Sequence, residues 1–223
     1  MLTATIYDIV YVSMIGVNMS AHNIIKSYLR RATKDSLLGV GCYSAAILAN
    51  NSRDQVVKIG SCNEDPWLDY YYEIVNCVRT VHTPKVHRLY AEEDNYYYVA
   101  LMEHLQPLDS ANAIFVTLVQ NYISNSLAYS KLLESASQLS SIPDPEAFIS
   151  FIDYLIDRTD VIEKGAWNDY PEDARTLDIH AGNWMLRKDG TLVLNDPWAH
   201  YEITEDLERW AEDNLYTKYG YPA

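Results

Sequence analysis

The sequence predicts an α+β protein, with a small antiparallel sheet and one helix in its first half and a mainly helical second half. In residues 38–61, short apolar runs alternate with glycines and an Asn50-Asn51-Ser52 turn, a pattern typical of strands joined by tight turns. In residues 111–164, apolar residues recur at helical spacing. The 223 residues are enough for one large domain or two small lobes, and the change of pattern after residue 103 favours two lobes.

The first lobe is predicted over residues 38–103, preceded by an N-terminal extension over residues 1–37 that packs on it. Within the extension, residues 21–32 have a helical pattern. In the lobe, three strands are followed by a helix from Asp65 to Val81, since Asp65 suits its cap and Pro66 its first turn. Two further strands are predicted at residues 85–91 and 96–103.

The second lobe is predicted over residues 104–223. Its helices are expected at residues 111–139, 146–164 and 205–216. Between the last two lies a hairpin, in which the strands Trp184–Arg187 and Thr191–Leu194 are joined by an Asp189-Gly190 turn.

Composition limits the possible classes of protein. The formal net charge of −14 argues against a general nucleic-acid binder, which needs a basic face, and favours basic protein partners. The three cysteines fit no zinc pattern, so we expect reduced thiols in a cytoplasmic protein. Residues 1–20 lack the basic start of a signal peptide, and no stretch predicts a membrane span.

The most informative segment of the sequence is the hairpin region, because it carries the pattern of a phosphoryl-transfer site. Asp178 and Asn183 are five positions apart, the spacing at which one residue meets the substrate hydroxyl and the other meets Mg²⁺. The second strand of the hairpin is expected to return Asp196, a second metal ligand, toward them. Each piece alone would fit a surface hairpin with solvated acids, but the combination favours catalysis.

Small residues in the first lobe are candidate phosphate contacts. Gly39 and Gly41 lie between strand-like segments, where missing side chains let main-chain N–H groups approach phosphates. Ser44 can add a hydroxyl. A plain hairpin turn is the alternative, since the pattern GxxxxGK[ST] is absent.

Lys58 is the candidate cation of the nucleotide site. In an apolar strand it can direct its charge at phosphates or lie on the wet face of the sheet. The first is favoured, because Val-Val-Lys-Ile matches the VAIK pattern of phosphate-binding lysines. Glu73 on the next helix is the candidate carboxylate that holds this lysine, with Asp69 one turn earlier on the same face. Either acid could instead be solvated.

The sequence resembles the protein-kinase-like superfamily over residues 38–200, through motifs in the same order: the Gly-rich bend, Lys58, a Met-Glu103 connector, Asp178, Asn183 and Asp196. The loop over residues 178–183 looks like the DxHxGN loop of aminoglycoside and choline phosphotransferases. The segment over residues 178–197 most resembles the early serine/threonine protein kinases of short-tailed bacteriophages, which modify host proteins.

The resemblance implies a two-lobed protein-kinase-like fold and a role for each matching residue. Asp178 would orient the attacking hydroxyl or accept its proton, and His180 would brace the loop or simply pack. Asn183 and Asp196 would hold Mg²⁺. Nucleotide contacts with ATP would come from Gly39, Gly41, Ser44, Lys58 and Glu73, and from a connector of Met102, Glu103 and Leu105 at the adenine.

The sequence also departs from the family pattern. Arg175-Thr176-Leu177 replaces the usual His-Arg before the catalytic Asp, so activation by loop phosphorylation is not expected. Pro197-Trp198 follows Asp196 in place of Phe-Gly. Only 27 of the 223 residues follow Asp196, too few for the helices that normally bind peptide substrates, so the helical lobe is expected to be truncated.

The expected function is therefore ATP- and Mg²⁺-dependent phosphotransfer, with host proteins as Ser/Thr substrates in the host cytoplasm and without nucleic-acid or membrane partners. Three alternatives stay open. The chain could be a small-molecule phosphotransferase, since that class shares the DxHxGN loop. It could be a kinase-like acidic protein that inhibits a host factor by contact, or a nucleotidyl transferase on the same scaffold.

Overall fold

The computed structural model of the protein describes residues 36–40, 44–49, 52–61, 65–91, 97–169 and 175–200. The helices predicted at residues 21–32 and 205–216 lie outside the described residues, as does most of the N-terminal extension.

The predicted strands of the first half form an antiparallel sheet, which has five strands within the described residues and the order β1-β2-β3-β5-β4. Alternation of buried and half-buried residues along β2 places one side of that strand against the core. The strands are β1 (Leu37–Val40), β2 (Ser44–Leu48), β3 (Gln55–Ser61), β4 (Val86–Tyr90) and β5 (Tyr97–Glu103).

The helix predicted from Asp65 to Val81 is much shorter than expected. Helix α1 (Pro66–Tyr70) continues as one π-helical turn (Tyr71–Val75) and then ends. The following stretch, Asn76–Val81, is rich in β-branched residues and asparagine, which are poor helix formers. The sequence prediction followed the apolar spacing and gave this composition too little weight.

The long helix predicted over residues 111–139 is divided in two. Helix α2 spans Ser110–Ile123 and is capped by Asp109, whose side chain accepts a hydrogen bond from the Asn112 N–H. Helix α3 spans Tyr129–Ala136. Between them Asn125 has φ 57°, a left-handed conformation that asparagine tolerates and that ends a helix. The next helix, α4 (Pro145–Asp169), contains the predicted 146–164.

The hairpin forms as predicted and is joined by a strand pair that was not predicted. Strands β7 (Trp184–Leu186) and β8 (Leu192–Leu194) pair antiparallel around a turn in which Gly190 has φ 87°. Strand β6 (Arg175–Leu177) precedes the loop over residues 178–183 and pairs with β9 (Trp198–His200), which follows Asp196.

The chain divides into two compact units. One, called here the sheet unit, contains the described residues up to Asp65 and Val86–His104; the other, the helical unit, contains Pro66–Lys85 and Leu105 onward among the described residues. The boundary between the two units after His104 coincides with the change of sequence pattern after residue 103. Pro66–Lys85 was predicted within the first lobe, but it belongs to the helical unit. A five-stranded antiparallel sheet, a helix between β3 and β4, then helices and a late hairpin confirm the predicted α+β class with two units.

None of the helices in the described parts of the chain has the length and apolar character needed to cross a bilayer.

Candidate active site

The predicted catalytic loop and the predicted metal-binding aspartate are joined through the main chain of the helical unit. Strands β6 and β9 flank them and pair with each other. Beyond that ladder, the Asp178 N–H donates to the Pro197 carbonyl at 2.7 Å, and the Asn195 N–H donates to the Asn183 carbonyl at 2.8 Å. The hairpin therefore returns Asp196 to the neighbourhood of Asp178 and Asn183, the geometry that the sequence suggests.

The Asn183 side chain is oriented by Asp178. Its amide nitrogen donates to the Asp178 carbonyl at 2.6 Å and to Asp178 Oδ2 at 3.1 Å. Because the nitrogen is committed to Asp178, the amide oxygen is the group that Asn183 can offer to a cation.

His180 approaches the same carboxylate oxygen from within the loop. Its Nε2 lies 3.4 Å from Asp178 Oδ2, and its Nδ1 accepts a hydrogen bond from the Gly182 N–H at 3.0 Å. A Cβ on Gly182 would lie 2.7 Å from His180 Cε1, so the ring position requires glycine there. The predicted bracing of the loop by His180 therefore has a geometric basis in its contacts.

Asp196 lies close enough to a buried tyrosine to affect its ionisation. The pKa of Tyr70 is raised well above its usual value. Burial is the larger cause, and the negative charge of Asp196 is the smaller one. The Tyr70 hydroxyl donates to the Leu194 carbonyl at 2.9 Å, at the end of β8. Tyr70 on α1 thus fixes the strand end from which Asp196 projects.

The hairpin is held at its base by the segment that follows the π-helical turn. His82 Nδ1 lies 2.7 Å from the Leu192 carbonyl, and the Leu194 N–H donates to the His82 carbonyl at 2.9 Å. The guanidinium of Arg187 donates to the carbonyl of Thr83 at 3.1 Å. These bonds between distant parts of the sequence fix β7 and β8, and with them the positions of Asn183 and Asp196.

Lys58 is a buried member of the sheet unit. The exposed fractions of Lys58, Asp65 and Tyr98 are 5%, 3% and 0%. Lys58 Nζ lies 3.7 Å from Asp65 Oδ2, and the Tyr98 hydroxyl donates to the same oxygen at 2.5 Å. Burial excludes the alternative that Lys58 is a solvated lysine on a wet face.

The structure corrects the predicted partner of Lys58. Glu73 was predicted to hold the lysine, but Glu73 lies in the π-helical turn and accepts a hydrogen bond from Arg158 Nε at 2.9 Å. A second Arg158 nitrogen donates to the same oxygen. The residue that pairs with Lys58 is Asp65, seven positions after it, so the nearer acid in sequence takes the place predicted for the helix acid.

The candidate phosphate contacts near the first turn are only partly described. Gly39 lies in β1 opposite Ala46, and an added Cβ would meet no heavy atom within 4 Å. Ser44 begins β2 opposite Gly60. Gly41 lies outside the described residues, so the phosphate-binding role of this turn remains a prediction.

The predicted connector follows β5. Met102 is buried and Glu103 ends the strand opposite Gln55. The His104 N–H donates to the Asp54 carbonyl at 2.9 Å, and the Gln106 N–H donates to the Leu186 carbonyl at 2.7 Å. Between them, the main-chain N–H and C=O of Leu105 make no hydrogen bond to another described residue. A main-chain contact with the edge of a base requires groups that are available in this way.

The donors in the helical unit suit Mg²⁺. This ion prefers oxygen ligands and binds proteins through one or two side chains together with water and phosphate oxygens. The carboxylate of Asp196 and the amide oxygen of Asn183 are such a pair. Among the described residues no group of three or more histidines, cysteines or acids gathers as a metal site.

Sequence reasoning missed Asp65 and Tyr98 in the sheet unit and Tyr70 in the helical unit. Asp65 was interpreted only as a helix cap, and the two tyrosines belong to clusters for which packing is the ordinary explanation. The one available signal was the short separation between Lys58 and Asp65. The run Tyr70-Tyr71-Tyr72 does not indicate which of its rings points inward. In the structure Tyr70 is buried, whereas Tyr72 is 48% exposed.

No protein-family model matches the sequence, and no curated protein matches it. Solved structures of aminoglycoside phosphotransferases resemble the chain at low scores. The GDP complex of an aminoglycoside 2'-phosphotransferase-IIIa mutant has a TM-score of 0.36 and 14% identity, covering 86% of this chain and 76% of that one. A thermostable mutant of aminoglycoside phosphotransferase APH(4)-Ia in its apo form has a TM-score of 0.33 and 13% identity, covering 83% and 80%.

The streptomycin–ATP–APH(2")-IIa ternary complex has a TM-score of 0.34 and 14% identity, covering 93% of this chain and 86% of that one. Likeness at these values does not identify an activity, so function has to be inferred from the residues of this chain.

Proposed function

We propose that the protein is an ATP- and Mg²⁺-dependent phosphotransferase that acts on a hydroxyl group. The observation that carries the proposal is the closure of the loop: main-chain bonds join Asp178, Asn183 and the strand end at Asp196 in one region of the helical unit. An acid, an amide oxygen and a second acid in this order suit a reaction in which positioning and charge stabilisation do most of the catalysis.

Each residue has a definite task in this proposal. Asp178 accepts the proton of the attacking hydroxyl or orients that hydroxyl. Asn183 and Asp196 hold Mg²⁺, which, when bound, neutralises charge on the phosphates of ATP. In the sheet unit, Lys58 contacts the phosphates as a point charge. The main chain at Gly39, Gly41 and Ser44 covers them.

The adenine contact is assigned to the connector. Met102 borders the base, while Glu103 and Leu105 supply main-chain groups. Leu105 is the strongest of these, because its N–H and C=O make no bond to other described residues.

The acceptor that we propose first is a Ser or Thr hydroxyl of a host protein, which the resemblance to bacteriophage kinases favours. The net charge of −14 is compatible with basic protein partners in the cytoplasm. A small-molecule acceptor is the second candidate, favoured by the DxHxGN loop over residues 178–183.

The test is transfer of γ-labelled phosphate from ATP into bacterial lysate, comparing the wild type with Asp178→Asn. Loss of a general base lowers the rate by roughly 10²- to 10⁴-fold. Asp189→Asn is the matched control, since this aspartate lies exposed in the turn of the same hairpin and its substitute still accepts from the Thr191 N–H. We expect full activity in the control and near-complete loss in Asp178→Asn.

The destination of the label separates the candidate functions. Labelled protein bands support the first acceptor, and label confined to small solutes supports the second. Label that transfers only from α-labelled ATP identifies a nucleotidyl transferase. If Asp178→Asn reproduces the full biological effect of the protein, the acidic binding protein is correct and the proposed activity is wrong.

A further inference from the structure

The carboxylate of Asp65 is fixed by a residue outside the lysine pair. Asp65 Oδ2 receives the Tyr98 hydroxyl at 2.5 Å and faces Lys58 Nζ at 3.7 Å. A hydrogen bond from an O–H donor to a carboxylate is among the stronger ones in proteins, because its acceptor is charged. The phenol therefore determines where the oxygen that faces the ammonium lies.

Tyr98 itself has a fixed position. It lies in β5 with no exposed surface, opposite Gly60 of β3. A Cβ on Gly60 would collide with Asp65 Oδ2 and would lie 2.6 Å from the Tyr98 hydroxyl oxygen, so glycine provides the space in which the phenol and the carboxylate meet. Lys58, Gly60, Asp65 and Tyr98 thus form one cluster within the sheet unit.

The burial of this cluster is not by itself evidence for a stabilising role. A buried ion pair is weak evidence for stability, because desolvation offsets the attraction of the charges. What the arrangement does provide is a single position for the lysine ammonium. That ammonium has three N–H donors, so a contact with Asp65 does not exhaust its capacity to bind a phosphate.

We propose that Tyr98 is a positioning residue, which acts through Asp65 to hold Lys58 where it meets the phosphates of the nucleotide. This inference rests on the proposed function, since it assumes that Lys58 binds ATP. Because Asp65 and Tyr98 both belong to the sheet unit that contains Lys58, the lysine would be in place before the nucleotide arrives.

The experiment compares Tyr98→Phe with Tyr122→Phe in the full chain. Tyr122 is a matched control, because its hydroxyl also donates to a carboxylate, Asp153 Oδ1 at 2.7 Å, but on helices α2 and α4. Tyr98→Phe should raise the KM for ATP by about tenfold or more, the size expected for losing a hydrogen bond to a charged group, without changing the KM for the acceptor. Tyr122→Phe should leave both constants within about twofold.

A second measurement does not depend on activity. Mass spectrometry after treatment with an amine-acylating reagent gives the labelling rate of Lys58, which should rise in Tyr98→Phe and stay at the wild-type rate in Tyr122→Phe.

If Tyr98→Phe fails to fold, Asp65→Asn replaces it with the same expectations. Equal behaviour of the two tyrosine variants in both measurements would overturn the inference. A wild type without ATP-dependent transfer would refute the proposed function, and Lys58 labelling would still decide the positioning claim.

Discussion

At the scale of single residues, Asp178 has two chemically different oxygens. Oδ2 receives the Asn183 amide at 3.1 Å and lies 3.4 Å from His180 Nε2. The Gly182 N–H donates to Nδ1, so the neutral imidazole carries its proton on Nε2, facing the carboxylate. With Oδ2 held from two sides, Oδ1 is the oxygen that can meet a substrate hydroxyl.

Replacing His180 by Ala should therefore disturb the orientation of the Asp178 carboxylate rather than nucleotide binding. We expect kcat to fall by roughly tenfold, since orientation errors at a reacting group are costly, while the KM for ATP stays near its wild-type value. Steady-state kinetics with varied ATP measures both constants. His87→Ala is the control, because His87 is exposed on β4. An unchanged kcat in His180→Ala would show that the ring only packs.

At the scale of elements, the hairpin depends on a buried histidine. Burial is the largest cause that lowers the pKa of His82, and the charge of Arg187 adds to it; the bond to Leu192 and the charge of Asp144 act in the opposite direction. The folded protein therefore holds His82 neutral at a pH where the unfolded chain, with the ordinary value of 6.5, binds a proton.

Stability should consequently fall as the pH drops below about 6.5, and should be full above it, because in that window the unfolded state binds more protons. The slope from one such group is at most about 1.4 kcal/mol per pH unit. His82→Asn keeps a donor near Nδ1 but cannot titrate, so its free energy of unfolding should change less between pH 7 and pH 5. Urea unfolding at both pH values measures the difference. Identical pH dependence in the two proteins would mean that other groups control it.

The helices and strands show how much of the fold could be predicted from the sequence. The strands and the hairpin were predicted almost to the residue, because period-two patterns and an Asp-Gly turn are local signals. The end of α1 and the break at Asn125 were missed, since apolar spacing continues through both. The β6–β9 pair was missed because its two short strands are far apart in the sequence and have no pattern of their own.

In the candidate site, too, some placements could be predicted from the sequence and others could not. The proximity of Asp178, Asn183 and Asp196 could be predicted, because it follows from the loop and hairpin that carry them. The partner of Lys58 could not, because several acids follow it, among them Asp65, Asp69 and Glu73, and only the fold determines which one turns toward the ammonium.

At the scale of the whole molecule, nucleotide binding should be visible as added stability. A ligand at a hundred times its Kd contributes about 2.7 kcal/mol. In a chain of 223 residues this corresponds to a rise in Tm of roughly 5–10 °C. We expect the rise with ATP and Mg²⁺ together, and a smaller one with ATP and a chelator.

Thermal unfolding of wild type and Asp196→Asn provides the measurement. The variant should keep the shift seen with ATP alone and lose the increment due to Mg²⁺, because it lacks one anionic ligand of the ion. An Mg²⁺ increment of the same size in the variant would remove Asp196 from the metal site. The absence of any shift with ATP in the wild type would contradict the proposed activity itself.

The attachment of the predicted catalytic loop to its neighbouring strands has a practical consequence. The bonds from Asp178 to Pro197 and from Asn195 to Asn183 involve peptide groups alone, so an amide in place of either carboxylate, at position 178 or 196, leaves both bonds possible. Chemically silent versions of the protein should therefore retain the wild-type backbone. They can be used as traps that capture the acceptor from a cell extract for identification.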